Sequence, residues 1–300
     1  MNVQTVHACV DQANSLLRLG PFCYAFFAYD DWGVRIISEL TQSLPTETTC
    51  CAADRNIHIC RLSNPNDPIA FRNFNLPGHL QQAKWFCQTN AINTIWVSPG
   101  MPDVIWTAAV DDRLGSLCYH LPWNAMIEDI VDYNGLMIHG GLAIQDNRAL
   151  LFVAPPGGGK STTLATAPKK WRVLSDDAAL VWPGRSQGWM ASPLPSWTNL
   201  ISSQHQTQPA TSFSCQLVGT ILLRKADTVK LWRVNPVQAA PPLFRACSDY
   251  PMLVMADVDC RRHAFKLAAH LARDLPCWQL ALPLHGHIWG LLNDIIDEAL

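Results

Sequence analysis

The order of apolar and polar residues divides this 300-residue chain into two parts of different character. In the first 125 residues the apolar runs are short, and clusters of Pro, Asn, Asp and Gly separate them. Short apolar runs between turn residues are typical of strands. We therefore predict an N-terminal mixed α+β module over residues 1–125 that leans toward β structure. The runs lie at residues 23–27, 34–37, 57–60, 94–97 and 103–106.

Residues 126–300 alternate strand-like runs with helical periodicity, which is typical of an α/β domain. Strands are predicted at residues 149–153, 171–175, 178–182 and 275–282. A further strand pair is predicted at residues 217–223 and 229–234, on either side of the turn at 225–227.

Two stretches near the C-terminus follow the helical period instead. One predicted helix presents a single face made of Phe265, Ala268, Ala269 and Ala272. The other is amphipathic, and its apolar face consists of Ile288, Leu291, Leu292, Ile295 and Ile296.

A glycine-rich loop follows the run at 149–153, where residues 154–162 read Ala-Pro-Pro-Gly-Gly-Gly-Lys-Ser-Thr. Gly159-Lys160-Ser161 is the core of a P-loop, with Ala154 where the pattern usually begins with glycine. Glycines allow backbone N–H groups to curl around phosphate oxygens, and a helix starting at the lysine adds its positive end. We therefore predict a site for a nucleotide with Mg²⁺, and no recognisable motif chooses between ATP, GTP and another phosphoryl donor. Its predicted nucleotide-binding residues are Ala154, Pro155, Pro156, Gly157, Gly158, Gly159, Lys160, Ser161 and Thr162.

Two adjacent carboxylates, Asp176 and Asp177, follow the run at 171–175. Open α/β sheets bind ligands beyond the ends of their strands. Neighbouring side chains on a strand point to opposite faces, so the two carboxylates are expected to have different tasks. One would hold Mg²⁺ and the other would face a phosphoryl acceptor. A plain turn at the end of a strand is the alternative interpretation.

Composition narrows the choice of partners. Charged residues make up only 15% of the chain and the formal net charge is −2, whereas average proteins carry about 25% charged residues. Part of the surface is therefore expected to be covered by a partner or by a second copy of the chain. The near-neutral charge does not favour a nucleic-acid partner. Because no apolar run approaches the roughly 18 residues of a membrane span, we expect no membrane segment.

The chain holds eleven cysteines, without a CxxC pair or the spacing of structural zinc ligands. Its first apolar stretch contains Asp11 and Arg18 and is not preceded by a basic leader, unlike a signal peptide. We therefore predict reduced, mostly buried thiols and a cytoplasmic location.

The residues around the P-loop resemble a known family. The segment 137–144, which contains His139, precedes the P-loop strand, and together with the loop and Leu174-Ser175-Asp176-Asp177 it resembles HPr kinase/phosphorylase and its smaller relatives. The stretch from the loop to the aspartates is also similar to ATP-dependent phosphoenolpyruvate carboxykinase. Segments further along resemble kinase-like relatives from peptide-maturation cassettes, including lasso-peptide kinases and SynChlorMet cassette proteins. The resemblance covers about residues 130–290 and implies an HPr kinase/carboxykinase-like P-loop core with a mixed β-sheet and helices.

The resemblance also implies an activity, the transfer of the ATP γ-phosphoryl group to a serine hydroxyl with Mg²⁺ as a clamp. Carried over to this chain, His139 and Lys160 lie beside the phosphates as catalytic residues, and Ser161 contacts the metal. Likeness to the carboxykinases makes Asp177 the second metal ligand and Asp176 the base, although which aspartate has which role stays open. The Gly-Arg-Asn signature of HPr kinases is missing, so the expected acceptor is a small protein or peptide other than HPr.

Two functions follow from the sequence. The first is a serine kinase whose residues 126–300 form the catalytic domain and whose residues 1–125 recognise the acceptor or mediate assembly. The second is a non-catalytic nucleotide-binding partner or scaffold in a peptide-modification system. A protein that only binds nucleotide has no need of a base, so the presence of Asp176 and His139 favours the kinase.

Overall fold

The computed structural model describes residues 15–43, 53–61, 76–89, 93–108, 123–184, 188–194, 214–249, 258–283 and 287–298. These residues fall into two compact units that divide between Ala125 and Met126. No helix within these ranges is both long and apolar enough to cross a membrane.

The described part of the N-terminal unit contains six strands and two helices. In chain order these are β1 (Ser15–Leu19), β2 (Phe22–Ala28), α1 (Asp31–Ser43), β3 (Arg55–Ile59), α2 (Gly78–Gln82), β4 (Phe86–Thr89), β5 (Asn93–Val97) and β6 (Asp103–Ala108). The strands form one sheet in the order β1-β2-β3-β6-β5-β4. β2, β3 and β6 run parallel, and the outer pairings are antiparallel.

Four of the five apolar runs predicted for this module lie on strands, and the run at 34–37 lies in α1 instead. The Asp30 side chain accepts a hydrogen bond from the Gly33 amide at 2.7 Å, which caps the start of the helix. Ile36 and Ile37 are buried, whereas Val34 is 56% exposed. This run therefore marks one buried face of a helix.

The C-terminal unit carries the remaining elements. These are α3 (Trp123–Asp132), β7 (Leu136–Gln145), β8 (Arg148–Val153), α4 (Lys160–Ala165), β9 (Arg172–Ser175), β10 (Ala178–Pro183), β11 (Trp189–Pro193), β12 (Cys215–Lys225), β13 (Lys230–Val234), α5 (Pro236–Ser248), α6 (Val258–Asp274), β14 (Cys277–Leu282) and α7 (Trp289–Glu298).

Eight strands form the mixed sheet of this unit, in the order β11-β10-β7-β8-β12-β14-β13, with β9 paired to β7. β8, β12 and β14 run parallel, so their carboxyl ends meet at one edge of the sheet. β11 also pairs with β12, which closes a ring of five strands. The expectation of a mixed α/β architecture is therefore confirmed.

The main core of the C-terminal unit lies between this sheet and the helices α4 and α7. Leu150, Phe152 and Ile221 of the sheet pack there with Leu164 and Leu292 of the helices, and all five are buried. The predicted amphipathic face of α7 is buried except for Leu291, which is 39% exposed. Helices α5 and α6 pack against each other and against β7.

Two predictions about elements are wrong. β12 and β13 do not pair with each other, because β14 lies between them, parallel to β12 and antiparallel to β13. β14 ends in the buried residues 280–282 and suits the interior of the sheet, whereas β13 exposes Lys230 and Arg233 and suits its edge. On α6, Phe265 is 46% exposed, and the buried face consists of Ala264, Leu267, Ala268, Leu271 and Ala272.

The prediction of reduced thiols is wrong at Cys23, which is disulfide-bonded. Sequence spacing does not show which cysteines approach each other in space, and disulfide formation requires that approach. The other described cysteines carry thiols; they are Cys60, Cys87, Cys215, Cys247, Cys260 and Cys277.

Candidate functional site

The glycine-rich loop begins where β8 ends, and its three glycines are needed for two different reasons. Gly157 and Gly159 have φ values of 68° and 94°, a backbone conformation that favours glycine. Gly158 donates to the Pro155 carbonyl at 2.8 Å. A β-carbon at position 158 would lie 2.8 Å from both the Ala154 β-carbon and the Pro155 oxygen. Side chains are therefore disfavoured by backbone conformation at positions 157 and 159 and by lack of space at position 158.

Helix α4 starts at Lys160 and is only six residues long. It packs closely on β7, since a β-carbon at Gly141 would lie 2.1 Å from Leu164 Cδ1. In so short a helix, attraction for an anion depends on the loop amides, Lys160 and Ser161 more than on the dipole. Lys160 is 7% exposed. Burial lowers the pKa of its ammonium, and nearby carboxylates act in the opposite direction.

His139 and Asp177 are brought together by the pairing of β7 with β10. Ala178 lies opposite His139 in that pairing, and the Gly140 amide donates to the Asp177 carbonyl at 3.0 Å. This register leaves His139 Nδ1 3.2 Å from Asp177 Oδ1. The contact joins two predicted site residues that lie 38 positions apart in the sequence.

Asp176 and Asp177 occupy a bend between β9 and β10. The hydroxyl of the buried Ser175 accepts hydrogen bonds from the amides of Asp177 and Ala178, at 3.3 and 3.0 Å, and so holds the bend. β9 runs antiparallel to β7. The aspartates therefore do follow a strand, but that strand is not one of the parallel strands that lead to the loop.

The surroundings of His139 favour the neutral form of its imidazole. Burial lowers its pKa, the positive charge of Lys160 lowers it further, and the carboxylates of Asp177, Asp249 and Asp176 oppose the shift. A neutral imidazole can donate only one ring hydrogen. The tautomer that donates from Nδ1 to Asp177 keeps its lone pair on Nε2. In that form His139 orients the Asp177 carboxylate.

A cavity of about 260 Å³ lies over the loop and gathers most of the predicted site. It is lined by His139, Pro155, Pro156, Gly157, Gly158, Gly159, Lys160, Ser161, Thr162, Asp177 and Lys225. Two predicted residues are not part of this lining. Ala154 is buried in the core next to the loop. Asp176 acts on the pKa of both Lys160 and His139 from outside the lining.

Sequence reasoning missed Lys225 and Asp249. Lys225 ends a strand that runs parallel to β8, and that position could have marked it, because ligands in α/β sheets bind beyond such ends. Asp249 follows α5 and, together with Arg245, lines a smaller cleft of about 110 Å³ beside Ala154 and Pro155. Its charge acts on Lys160 and His139. No sequence pattern indicates that proximity.

The geometry fits a nucleoside triphosphate with Mg²⁺. Around the positions that β-carbons would take at Gly157 and Gly159, nothing lies within 4 Å, so the cradle is open. Ser161 and Asp177 line the same cavity and offer the oxygen ligands that Mg²⁺ prefers. Within the described ranges, no group of three His, Cys, Asp or Glu side chains could hold a metal by itself. An ion here would also need phosphate oxygens and water as ligands.

Fold and site together define a mixed α/β protein with a glycine-rich loop at the end of a buried strand. The chain belongs to the family described as SynChlorMet cassette protein ScmC, whose model matches residues 119–297, more than half of the chain. The matched range contains every candidate site residue, and it confirms the likeness to SynChlorMet cassette proteins. A search of curated proteins gave no significant match.

Proposed function

We propose that this chain is an ATP- and Mg²⁺-dependent kinase that transfers a γ-phosphoryl group to a serine hydroxyl of a small protein or peptide. One observation carries the proposal. The cavity over the loop combines a glycine cradle, the buried cation of Lys160, the hydroxyl of Ser161 and the Asp177 carboxylate oriented by His139. A generic glycine-rich turn requires none of these side chains.

Each group has a role in this proposal. Lys160 and the loop amides bind the β- and γ-phosphates of ATP and stabilise the charge on the transferred group. Ser161 and Asp177 would hold Mg²⁺, which would supply positive charge to neutralise the phosphates. His139 fixes the orientation of Asp177. Asp176 accepts the proton of the attacking hydroxyl.

The balance of the reaction is simple. A bond forms between the serine oxygen and the γ-phosphorus, and the bond from that phosphorus to the β-γ bridging oxygen breaks. ADP leaves with the electron pair of the broken bond. The hydroxyl proton passes to a carboxylate. Such transfers need positioning and charge stabilisation more than covalent help from the protein.

The family name supports the choice of acceptor class. The family is described as a SynChlorMet cassette protein, and the likeness of this chain to peptide-maturation kinases favours a small protein or ribosomal peptide as the acceptor. The N-terminal unit, with its separate six-stranded sheet, is then proposed to recognise the acceptor or to mediate assembly.

One observation favours the second candidate, a nucleotide-binding partner without catalysis. The Asp176 side chain is not part of the cavity lining, although a base must reach the attacking hydroxyl. In this case the loop would bind ATP and the protein would report its presence to another cassette component. Asp176 is the residue that distinguishes the two functions.

The test is incubation of the purified full chain with Mg²⁺ and γ-labelled ATP, alone and with pooled serine-containing peptides. Lys160→Ala is expected to lose both ATP binding and transfer. Asp176→Asn is expected to keep ATP binding and to lose transfer by about 10²–10³-fold or more. Asp177→Asn is expected to raise the Mg²⁺ concentration that half-maximal transfer requires, because it removes a carboxylate ligand of the ion.

The outcomes separate the candidates. Label on peptide serine with wild-type protein only would support the kinase. Full transfer by Asp176→Asn would contradict the base assignment but not the activity. Tight, Lys160-dependent ATP binding without transfer to any peptide would favour the nucleotide-binding partner.

A further inference from the structure

A second cleft adjoins the cavity over the loop. It has a volume of about 240 Å³ and is lined by Gly158, Gly159, Thr163, Lys225, Ala226, Leu282 and Pro283. Gly158, Gly159 and Lys225 also line the first cavity. The two spaces therefore lie on either side of a shared wall, made of two loop glycines and one lysine.

The topology of the sheet explains this position. Lys225 ends β12 and pairs with Leu282, the last residue of the parallel strand β14. The Ala226 amide then donates to the Leu282 carbonyl at 3.0 Å, so both chain segments leave the sheet side by side. β8 and its loop are next to β12 on the other side. The cleft thus sits at the carboxyl edge of three parallel strands, where α/β sheets bind ligands.

The chemistry of the cleft differs from that of the first cavity. Its walls come from Ala226, Leu282, Pro283 and glycine backbone, and among the described residues only Thr163 and Lys225 line it with polar side chains. An apolar slot with few polar groups suits a flat aromatic ring, while the loop cavity suits phosphates. Lys225 forms no ion pair with any described residue and stands between the two spaces.

We propose that this cleft binds the nucleoside of the nucleotide and that Lys225 is a second phosphate-binding cation beside Lys160. The inference rests on the proposed nucleotide site and adds the position of the base and the identity of a further contact. Among the described lining residues, only the side chains of Thr163 and Lys225 could hydrogen-bond to a base edge, so we expect little selection between bases. ATP and GTP therefore differ by less than about tenfold in affinity.

The test compares three probes by isothermal titration calorimetry on the full chain in Mg²⁺, namely ATP, GTP and inorganic tripolyphosphate. Ala226→Phe fills the cleft and is expected to weaken ATP by about tenfold or more while leaving tripolyphosphate unchanged. Lys225→Met is expected to weaken both probes by about tenfold. Lys230→Met is the matched control, since Lys230 lies against Trp232 and lines neither space. It is expected to bind like the wild type.

Several results would overturn the inference. One is an ATP affinity that Ala226→Phe leaves unchanged, and another is a Lys225→Met variant that binds both probes normally. If Ala226→Phe fails to fold, the wild-type comparison decides, because tripolyphosphate binding as tight as ATP excludes a nucleoside contact. If Lys160→Ala loses all binding while Lys225→Met and Ala226→Phe bind like the wild type, this inference is wrong but the proposed function stands. Failure of wild-type protein to bind either probe would contradict the proposed function itself.

Discussion

Glycine is required at positions 157, 158 and 159 of the loop for different local reasons. At Gly157 and Gly159 there is space for a side chain, but the positive φ angles disfavour one. At Gly158 the backbone is ordinary, but the Ala154 methyl group and the Pro155 carbonyl fill the space. Ala154, which stands where a P-loop usually has glycine, thus restricts position 158.

This restriction predicts a specific pair of phenotypes. Gly158→Ala places a β-carbon 2.8 Å from two atoms, so the loop must shift and ATP binding should weaken by about tenfold or more. The double variant Ala154→Gly/Gly158→Ala removes one of the two contacts and should recover part of the affinity. Calorimetric titration with ATP measures both. Equal affinities of Gly158→Ala and wild type would show that the loop binds in another conformation.

A buried polar cluster in the N-terminal unit gives a residue-scale prediction for pH. Asp103 is 4% exposed and accepts hydrogen bonds from His58 Nε2 at 2.9 Å and from Asn56 Nδ2 at 3.1 Å. The Tyr29 hydroxyl lies 2.9 Å from His58 Nδ1. Burial acts to raise the pKa of Asp103, but the contacts with His58, Asn56 and His79 together lower it below its ordinary value.

The direction of the Asp103 pKa shift determines the pH range in which this carboxyl group stabilises the fold. A carboxyl group whose pKa is lowered by folding stabilises the folded state at pH values above its pKa in the unfolded chain, which is about 3.9. This contribution to the free energy of unfolding disappears as the pH falls through the pKa of the folded state. Asp103→Asn should therefore lower the free energy of unfolding by about 1–3 kcal/mol near neutral pH. The difference from wild type should shrink below about pH 4. Urea unfolding across this range measures both effects, and a difference that grows on acidification would contradict the assignment.

At the scale of elements, local patterns predicted strands well and their partners poorly. Runs such as 149–153 and 275–282 are apolar because their strands are buried, and burial can be read residue by residue. The pairing of β12 with β14 depends on residues more than fifty positions apart, which no local pattern contains. The contact of His139 with Asp177 likewise depends on the register of β7 against β10.

Helix α5 shows how local signals can conflict. Asn235 accepts from the Gln238 amide at 2.9 Å, Gln238 bonds back to the Asn235 amide, and Pro236 begins the helix. These are strong start signals. Pro241 and Pro242 lie inside the helix and argue against one. Burial of its apolar face against the sheet outweighs the local penalty.

The capping box makes a testable contribution to α5. Asn235→Ala should lower the free energy of unfolding by about 1 kcal/mol, because the Gln238 amide loses its side-chain acceptor and keeps only the Asn235 carbonyl at 3.1 Å. Gln238→Ala removes the weaker, longer bond and should cost less. Urea unfolding of both variants gives the comparison. Since Asn235 lines neither the cavity over the loop nor the adjoining cleft, ATP affinity should stay within about twofold of wild type, and a larger loss would imply that α5 helps to shape the site.

At the scale of the molecule, the candidate site is built on strands that are fixed on both sides. β7, β8, β10 and β12 all belong to the ring that β11 closes. They carry His139, the glycine loop, the bend at Asp176 and Asp177, and Lys225. The site elements are therefore held by backbone pairing, and only the connections at the edge of the sheet have to adapt to a ligand.

This arrangement predicts which residues a bound nucleotide will protect from amide hydrogen exchange. A ligand that binds only the folded state stabilises it by about 2.7 kcal/mol at a hundred times its Kd. With ATP and Mg²⁺ at that level, amide hydrogen exchange should slow in residues 153–163, 175–179 and 224–228, where the loop, the bend and the end of β12 surround the cavity. Strands β1–β6 of the N-terminal unit do not line the cavity, so their exchange should not change.

The Lys160→Ala variant is the control. With ATP it should exchange like the ligand-free wild type, since it lacks the buried cation. Protection confined to the N-terminal sheet, or protection that persists in Lys160→Ala, would place the nucleotide elsewhere and would remove the basis for assigning phosphoryl transfer to this edge.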